Sequence, residues 1–306
     1  MNQPRVVVVG SSNTDMIIRL DRIPKPGETI LGGRFVTAAG GKGANQAVGA
    51  ARAGGAVTFV ARVGRDMFGD RAVAGFRHDG IDVRHVSRDP SAPSGVALIF
   101  VAKDGENSIA VASGANARLA PADVTRARPA LGRADILLVQ LEIPLPTVRA
   151  ALDHAAARRV PVILNPAPAR SLSPALLRRV TILTPNESEA SLLTGIKVVS
   201  TATAARAARA LLDKGCRTVV VTLGAQGAWV ANAELNQLVP GFRVTPVDTT
   251  AAGDVFNGAL AVALAEGQPL LEAVRFANAA GALSVTKLGA QPSAPARREI
   301  DRLLRR

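Results

Sequence analysis

Short runs of β-branched and aliphatic residues, apolar on both faces, alternate along this chain with Ala-rich stretches of helical periodicity. That alternation restricts the fold more than any other feature. Strands are expected at residues 5–9, 58–63, 136–140, 162–165, 182–184 and 218–222, and helices at 43–53, 68–78, 146–158, 186–193, 202–214, 253–266 and 270–287. A strand apolar on both faces must be covered on both, so the reading is a three-layer α/β/α, Rossmann-like fold with a mainly parallel central sheet. Ligands of such sheets sit beyond the carboxyl ends of the strands.

Two stretches break the alternation. Residues 15–38 carry Pro24, Pro26, Gly27 and Gly32-Gly33 among short extended runs, and residues 95–114 read as a hairpin turning at Lys103-Asp104-Gly105. Both belong to a second, smaller sheet, expected to form a discontinuous β-lid over the active site. No repeat, low-complexity tract or linker divides the chain, so a single domain over 1–306 is expected.

At 306 residues, 48% hydrophobic and without tyrosine, the chain can build a large, mainly aliphatic core. Cys216 is its only cysteine, which excludes an internal disulfide and a cysteine metal cage and points to a reducing, cytoplasmic setting. His78, His85 and His154 show no ligand spacing. The apolar string Val6-Val7-Val8-Val9 is too short for a membrane span or a signal peptide. The net charge of +13 comes from dispersed arginines, with no basic block interleaved with aromatics, so nucleic acid is not an expected partner. Such a surface draws in an anionic nucleotide.

Four segments carry chemistry. In residues 248–260, Ala251, Ala252 and Gly253 precede a helical pattern, leaving backbone N–H groups for an anion, and Asp254 sits beside them. Asp254 is either a catalytic carboxylate or a first-turn acid complementing the helix dipole. With an ordinary carboxylate pKa of about 3.9, the positive helix end is expected to make it more acidic still, so that it takes a proton late in the reaction. In residues 40–46, Gly40, Gly41 and Gly43 allow close backbone approach, while Lys42 and Asn45 supply donors for hydroxyls; the alternative is a tight turn, and neither a Walker loop nor a dinucleotide fingerprint is present. Asn186 and Glu189, three apart at a helix start, suit water around Mg²⁺ or a phosphate, or a helix cap. Thr222, Gly224 and Gly227 follow a strand and suit a nucleotide or a plain turn.

Together with Asn13-Thr14-Asp15, Pro26-Gly27-Glu28-Thr29, Gly95, Gly114-Ala115-Asn116, Gln140-Leu141-Glu142, Asn165-Pro166-Ala167-Pro168-Ala169 and Gly289-Ala290-Gln291-Pro292-Ser293, these segments resemble the ribokinase family of carbohydrate kinases over essentially the whole chain. The resemblance implies an ATP-dependent sugar kinase of that fold, acting on the 5-hydroxyl of ribose. It implies that Asn13, Asp15, Gly41, Lys42, Asn45 and Glu142 bind sugar hydroxyls. Asn186, Thr222, Gly224, Gly227, Gly253 and Asn278 would bind ATP, with Asn278 near the adenine and Glu189 near Mg²⁺ and the phosphates. Ala251, Ala252 and Gly253 would form the anion hole, and Asp254 would be the base. A monovalent cation, usually K⁺, is implied in a loop of Asp248, Thr250, Ser284, Lys287, Gly289 and Ser293, several through backbone carbonyls; Thr250 departs from a position often apolar in the family. The exposed edges of the small sheet predict a homodimer joined through the lids.

Overall fold

A computed structural model describes residues 3–305; the first two residues and the last of the expected domain lie outside them. In chain order the elements are β1 (Arg5–Val9), β2 (Asn13–Leu20), β3 (Arg34–Gly40), α1 (Lys42–Arg52), β4 (Ala56–Gly64), α2 (Met67–His78), β5 (Val86–Asp89), β6 (Gly95–Ala102), β7 (Asn107–Ala112), α3 (Pro121–Arg126) and α4 (Arg128–Leu131). They continue with β8 (Ile136–Val139), α5 (Leu145–Arg158), β9 (Val162–Leu164), α6 (Pro174–Leu177), β10 (Ile182–Leu183), α7 (Glu187–Thr194), α8 (Thr201–Asp213), β11 (Thr218–Thr222), β12 (Gly227–Ala231), β13 (Asn236–Pro240), α9 (Ala252–Ala265), α10 (Leu270–Ser284) and α11 (Arg297–Leu304).

The large sheet has nine strands in the order β13-β12-β11-β10-β9-β8-β1-β4-β5. From β5 through β11 neighbours pair in parallel; β12 and β13 pair antiparallel at one edge. Strand β1 shows why the sheet must be a middle layer. Val6 and Val8 pack with α1, α9 and α10 on one face, while Val7 and Val9 pack with α5, α7 and α8 on the other. After β1 the chain builds outward through β4 and β5, then returns to β8 on the opposite side, so the order reverses at the β1–β8 pair. A crevice opens beyond the strand ends at such a reversal.

The smaller sheet, β3-β2-β6-β7, pairs β2 antiparallel with β3, β2 parallel with β6, and β6 antiparallel with β7. Its strands reach further toward the core than the 15–38 stretch marked by turn residues, because Asn13 pairs with Gly40 at its base. The turn at Lys103-Asp104-Gly105 closes with Gly105 at φ 92°, a conformation that favours glycine.

Several elements were not expected. Strands β5, β12 and β13 are short, with polar or half-exposed positions that break the apolar runs, and α3 and α6 are too short for a clear 3.6-residue period. Helix α10 ends at Ser284 rather than at 287, where the N–H groups of Thr286 and Lys287 turn back to the carbonyls of Leu283 and Ser284.

Helices α1 and α9 meet through glycine. A Cβ at Gly258 would lie 2.6 Å from Ala50 N and from Gln46 O, and one at Gly49 would lie 3.2 Å from Val255 Cα. This backbone-to-backbone contact leaves no room for a methyl group. Gly258→Ala is therefore expected to destabilise the fold by about 1–3 kcal/mol through overpacking; thermal denaturation beside the parent chain measures it.

Candidate active site

The ends of β1, β8, β9, β10 and β11, the start of α1, the base of β2 and the start of α9 enclose one polar centre. Asp254 is the third residue of α9 and is 7% exposed. Asn45 Nδ2 donates to its Oδ2 at 3.0 Å and Gln46 Nε2 to its Oδ1 at 2.9 Å, so adjacent residues of α1 hold one oxygen each. The glycine contact between α1 and α9 sets this spacing.

The preceding turn is built for an anion. Ala251 caps α9 in the left-handed region (φ 60°, ψ 12°), a conformation that costs an L-residue roughly 1–2 kcal/mol. The Ala252 N–H donates to the Thr249 carbonyl at 3.3 Å. The N–H groups of Ala251, Gly253 and Asp254 find no acceptor among the described residues. A Cβ at Gly253 would meet nothing within 4 Å, so protein packing does not demand glycine there. Open space over unpaired donors suits a phosphoryl group.

Asn13, Asp15, Lys42, Asn45 and Glu142 converge on the same centre. Glu142 accepts from the Ser11 hydroxyl and from the Lys42 N–H at 3.1 Å. Asn13 Oδ1 accepts from Asn116 Nδ2 at 2.7 Å, and Asn116 also exchanges hydrogen bonds with the Ser12 backbone. Asp15 lies across Gly40, where a Cβ would fall 2.2 Å from its Oδ2. Asn45 Oδ1 is buried without a hydrogen-bond partner, an acceptor left for a donor that the described residues do not supply. Gly41 (φ 89°) has Asn13 N and Ser12 Cα where a Cβ would be, so it is glycine for close packing as well as for its backbone angle.

Burial dominates the electrostatics. It raises the Asp254 carboxyl above its ordinary range; Lys42 and the amide donors of Asn45 and Gln46 oppose the rise, and Glu142 adds to it. The expectation of a more acidic Asp254 is thus overturned, because loss of water outweighs the helix end. Asp15 is pushed up to about 6 by burial, then by Glu142 and Asp254, against Lys42. Burial works to lower Lys42, yet Asp254, Glu142, Glu189 and Asp15 together hold its ammonium above the usual range.

The residues expected to bind nucleotide follow along the strand ends. Asn186 and Glu189 form a reciprocal cap on α7, with the Glu189 N–H donating to Asn186 Oδ1 at 2.8 Å and the Asn186 N–H to Glu189 Oε2 at 2.9 Å. Burial also raises Glu189. Thr222 ends β11 beside Asn186. A Cβ at Gly224 (φ 53°) would meet open space, whereas one at Gly227 would strike Val239 O at 2.2 Å, so Gly227 has a packing reason of its own. Asn278 Nδ2 is engaged by the Val239 and Pro240 carbonyls at 3.0 and 3.2 Å, which ties α10 to β13 and leaves only its oxygen side for a ligand.

Asp248 joins the two loops of the expected cation site. Its Oδ1 accepts from Thr250 N at 2.9 Å and Thr250 Oγ1 at 2.6 Å, and its Oδ2 from Gly289 N at 2.9 Å. Burial works to raise it, but these donors hold it below the ordinary range. Ser284 and Ser293 are buried, their hydroxyls bonded to the Gly281 and Ala290 carbonyls. The Lys287 ammonium pairs with Glu299 at 2.9 Å, so its side chain is committed elsewhere.

Sequence reading assigned no role to Ser11, Gln46, Asn116, Gln140, Asn165 or Asn257. All but Ser11 lie inside segments singled out above, but their partners are distant in the chain and become visible only in the fold. For Ser11 the available signal was a hydroxyl directly after the Gly10 that closes a buried strand.

The family model described as pfkB family carbohydrate kinase matches residues 3–297. A Haemophilus influenzae ribokinase is 46% identical over 96% of this chain and 96% of that protein. A Salmonella typhimurium deoxyribokinase is 37% identical over 98% of each. The structure of Arabidopsis thaliana ribokinase complexed with ribose and ATP superposes with a TM-score of 0.92 at 35% identity, covering 100% of both chains.

Asp15 supplies a test of the electrostatics. An unfolded aspartate ionises near 3.9 without penalty, while the folded one resists ionisation up to about 6, so Asp15 destabilises the fold above pH 6 and is neutral below pH 4. Asp15→Asn is expected to raise stability by up to roughly 3 kcal/mol at pH 7–8, to leave it unchanged near pH 3.5, and to weaken sugar binding. Denaturant unfolding at both pH values, with sugar titration, checks this.

Proposed function

Because the chain belongs to the pfkB family of carbohydrate kinases, we propose that it transfers the γ-phosphoryl group of ATP to the 5-hydroxyl of D-ribose, giving ribose 5-phosphate and ADP. The observation that carries the reading is Asp254, buried and held by two amide donors beside unpaired helix N–H groups. Asn13, Asp15, Lys42, Asn45 and Glu142 hold the sugar so that its terminal oxygen lies in line with the γ-phosphorus. The oxygen–phosphorus bond forms as the bond to ADP breaks, and the proton passes to Asp254. Burial makes Asp254 a stronger acceptor than an exposed aspartate, while Lys42 and the amides favour its ionised form. The N–H groups at 251, 253 and 254 meet the charge on the transferring group.

The metal is Mg²⁺, bound with ATP. Such an ion takes one or two carboxylates, water and substrate phosphates; among the described residues no group of three His, Cys, Asp or Glu suits a metal. Glu189 and Asn186 are the residues that would hold its water shell, and the ion would supply charge neutralisation to the phosphoryl groups. A monovalent cation, K⁺, fits the loop braced by Asp248, which stays anionic and draws residues 248–250 onto residues 285–289.

Ribose is favoured over 2-deoxyribose because Asn13 and Asp15 match a vicinal hydroxyl pair, and polar groups left unpaired in a buried site penalise the poorer substrate. An ADP-release assay with ribose, 2-deoxyribose, fructose and adenosine, with and without K⁺, tests both parts. Ribose-dependent ADP is expected, stimulated by K⁺. No sugar-dependent ADP overturns the kinase, and equal turnover of 2-deoxyribose overturns the selectivity. Asp254→Asn is expected to lower kcat by roughly three orders of magnitude or more with ribose KM little changed.

The smaller sheet acts as a lid, excluding water that competes for the phosphoryl group. Cross-strand pairing puts Phe35 and Leu98 on its face away from Asn13 and Asp15, and Val36, Ile109 and Val111 on the face they share. All five are exposed. A sheet apolar on both faces needs cover on both, and a second copy of the chain supports a homodimer. A single, buried cysteine supports a cytoplasmic enzyme; no helix among the described residues is long and apolar enough to cross a membrane. Light scattering at micromolar concentration is expected to give a dimer, reduced to a monomer by Phe35→Glu with Leu98→Glu; a monomeric parent chain overturns the dimer.

A further inference from the structure

Gln46 is fully buried and all the hydrogen-bonding capacity of its amide nitrogen is spent. Its Nε2 donates to Asp254 Oδ1 at 2.9 Å and to Asn165 Oδ1 at 3.0 Å, and its Oε1 accepts from Gln140 Nε2. Asn165 in turn donates to the Thr184 carbonyl at 3.0 Å, the Thr184 hydroxyl donates to Asn257 Oδ1 at 2.6 Å, and Asn257 Nδ2 donates to the Gly253 carbonyl at 2.7 Å. The chain of amides therefore leaves Asp254 through Gln46 and returns to the same turn of α9.

The direction of this relay is informative. Turning Gln46 over would set its carbonyl oxygen against a carboxylate and against Asn165 Oδ1, two acceptors. Gln140 prevents that by offering an N–H to Gln46 Oε1, and in doing so leaves its own Oε1 buried and without a partner. An unsatisfied acceptor is thus tolerated at the far end while donors face Asp254. Around Asp254 the charged groups are Lys42, Glu142, Asp15 and Glu189, mostly of like sign, so a fixed donor opposes both burial and repulsion.

We infer that Gln46 is a positioning residue that keeps the Asp254 carboxylate ionised and aimed at the acceptor hydroxyl, with Gln140 and Asn165 fixing which way its amide points. The inference rests on Asp254 as the base. Gln46 touches no reacting atom; it acts through Asp254. Asn45, its neighbour on α1, holds the other oxygen and keeps its own Oδ1 free, so the two residues divide the work between substrate and carboxylate.

The test uses Gln46→Met, similar in length without donors, and Gln140→Met, which lies one amide away from Asp254. Ionised Asp254 is the active form, so kcat falls as pH drops through its pKa, and losing a donor moves that acidic limb to higher pH. For Gln46→Met we expect kcat about a hundredfold lower at neutral pH, ribose KM changed by less than about threefold, and the acidic limb roughly one unit higher. Gln140→Met should show the same shift at smaller size, and it decides the matter should Gln46→Met fail to fold. An unmoved acidic limb in both variants, with or without a lower melting temperature, overturns the inference. Asp254→Asn is run alongside: its inactivity beside an unmoved limb removes only the role of Gln46, whereas turnover by Asp254→Asn removes the base itself.

Discussion

Negative charge gathered around one half-buried ammonium is the constraint from which the rest of this site follows. Asp15, Glu142, Glu189 and Asp254 all act on Lys42, at the mouth of a sheet whose strands are apolar on both faces. Ions taken from water in this way neutralise unless donors replace the lost solvation. The structure supplies those donors from every side: a serine hydroxyl and a backbone N–H to Glu142, paired amides to Asp254, and the helix cap to Glu189. Asp15 has the poorest provision and is pushed up to about 6, while burial raises Asp254 and Glu189 despite their donors.

Such dense provision requires backbones to come close. A Cβ at Gly43 would lie 2.5 Å from Ser11 N, and one at Gly10 would lie 2.1 Å from Gln140 Oε1. The strand end and the start of α1 consequently meet backbone to backbone, and the side chain of Gln140, just after β8, lies where a side chain on Gly10 would be. Elsewhere the fold is ordinary aliphatic packing, with valine, leucine and alanine filling both layers. Stability is drawn from the layers, and the strand ends are left free to hold charge.

Much of this was legible before any coordinates. Apolar runs such as Val6-Val7-Val8-Val9 announced a covered parallel sheet, the glycine and proline punctuation at 24–33 announced a departure from it, and Asp254 next to Ala251-Ala252-Gly253 announced an anion turn. Strands β12 and β13 were not legible, because an edge hairpin need not be apolar on both faces. The acidity of Asp254 was misjudged for a related reason: a helix terminus is visible in one segment, but burial is the sum of α1, β8 and α9, which meet only in space. The amides of Gln46, Gln140 and Asn165 belong to the same class, each unremarkable in its own segment and meaningful only opposite the others.

Strand β2 leaves β1 with only Gly10, Ser11 and Ser12 between them, and its residues 13–20 stay in unbroken register with residues 95–102 of β6. Asn13 and Asp15 are thus rungs of the same ladder that carries the whole smaller sheet. In the proposed kinase, recognition and enclosure are mechanically one part: a substitution at these rungs that alters the proposed contact to the sugar also alters the seat of the sheet above it. Drift in substrate preference along such a lineage should then be written first in residues outside the smaller sheet, such as Lys42 at the start of α1 and Glu142 after β8, where chemistry can change while that sheet is left alone.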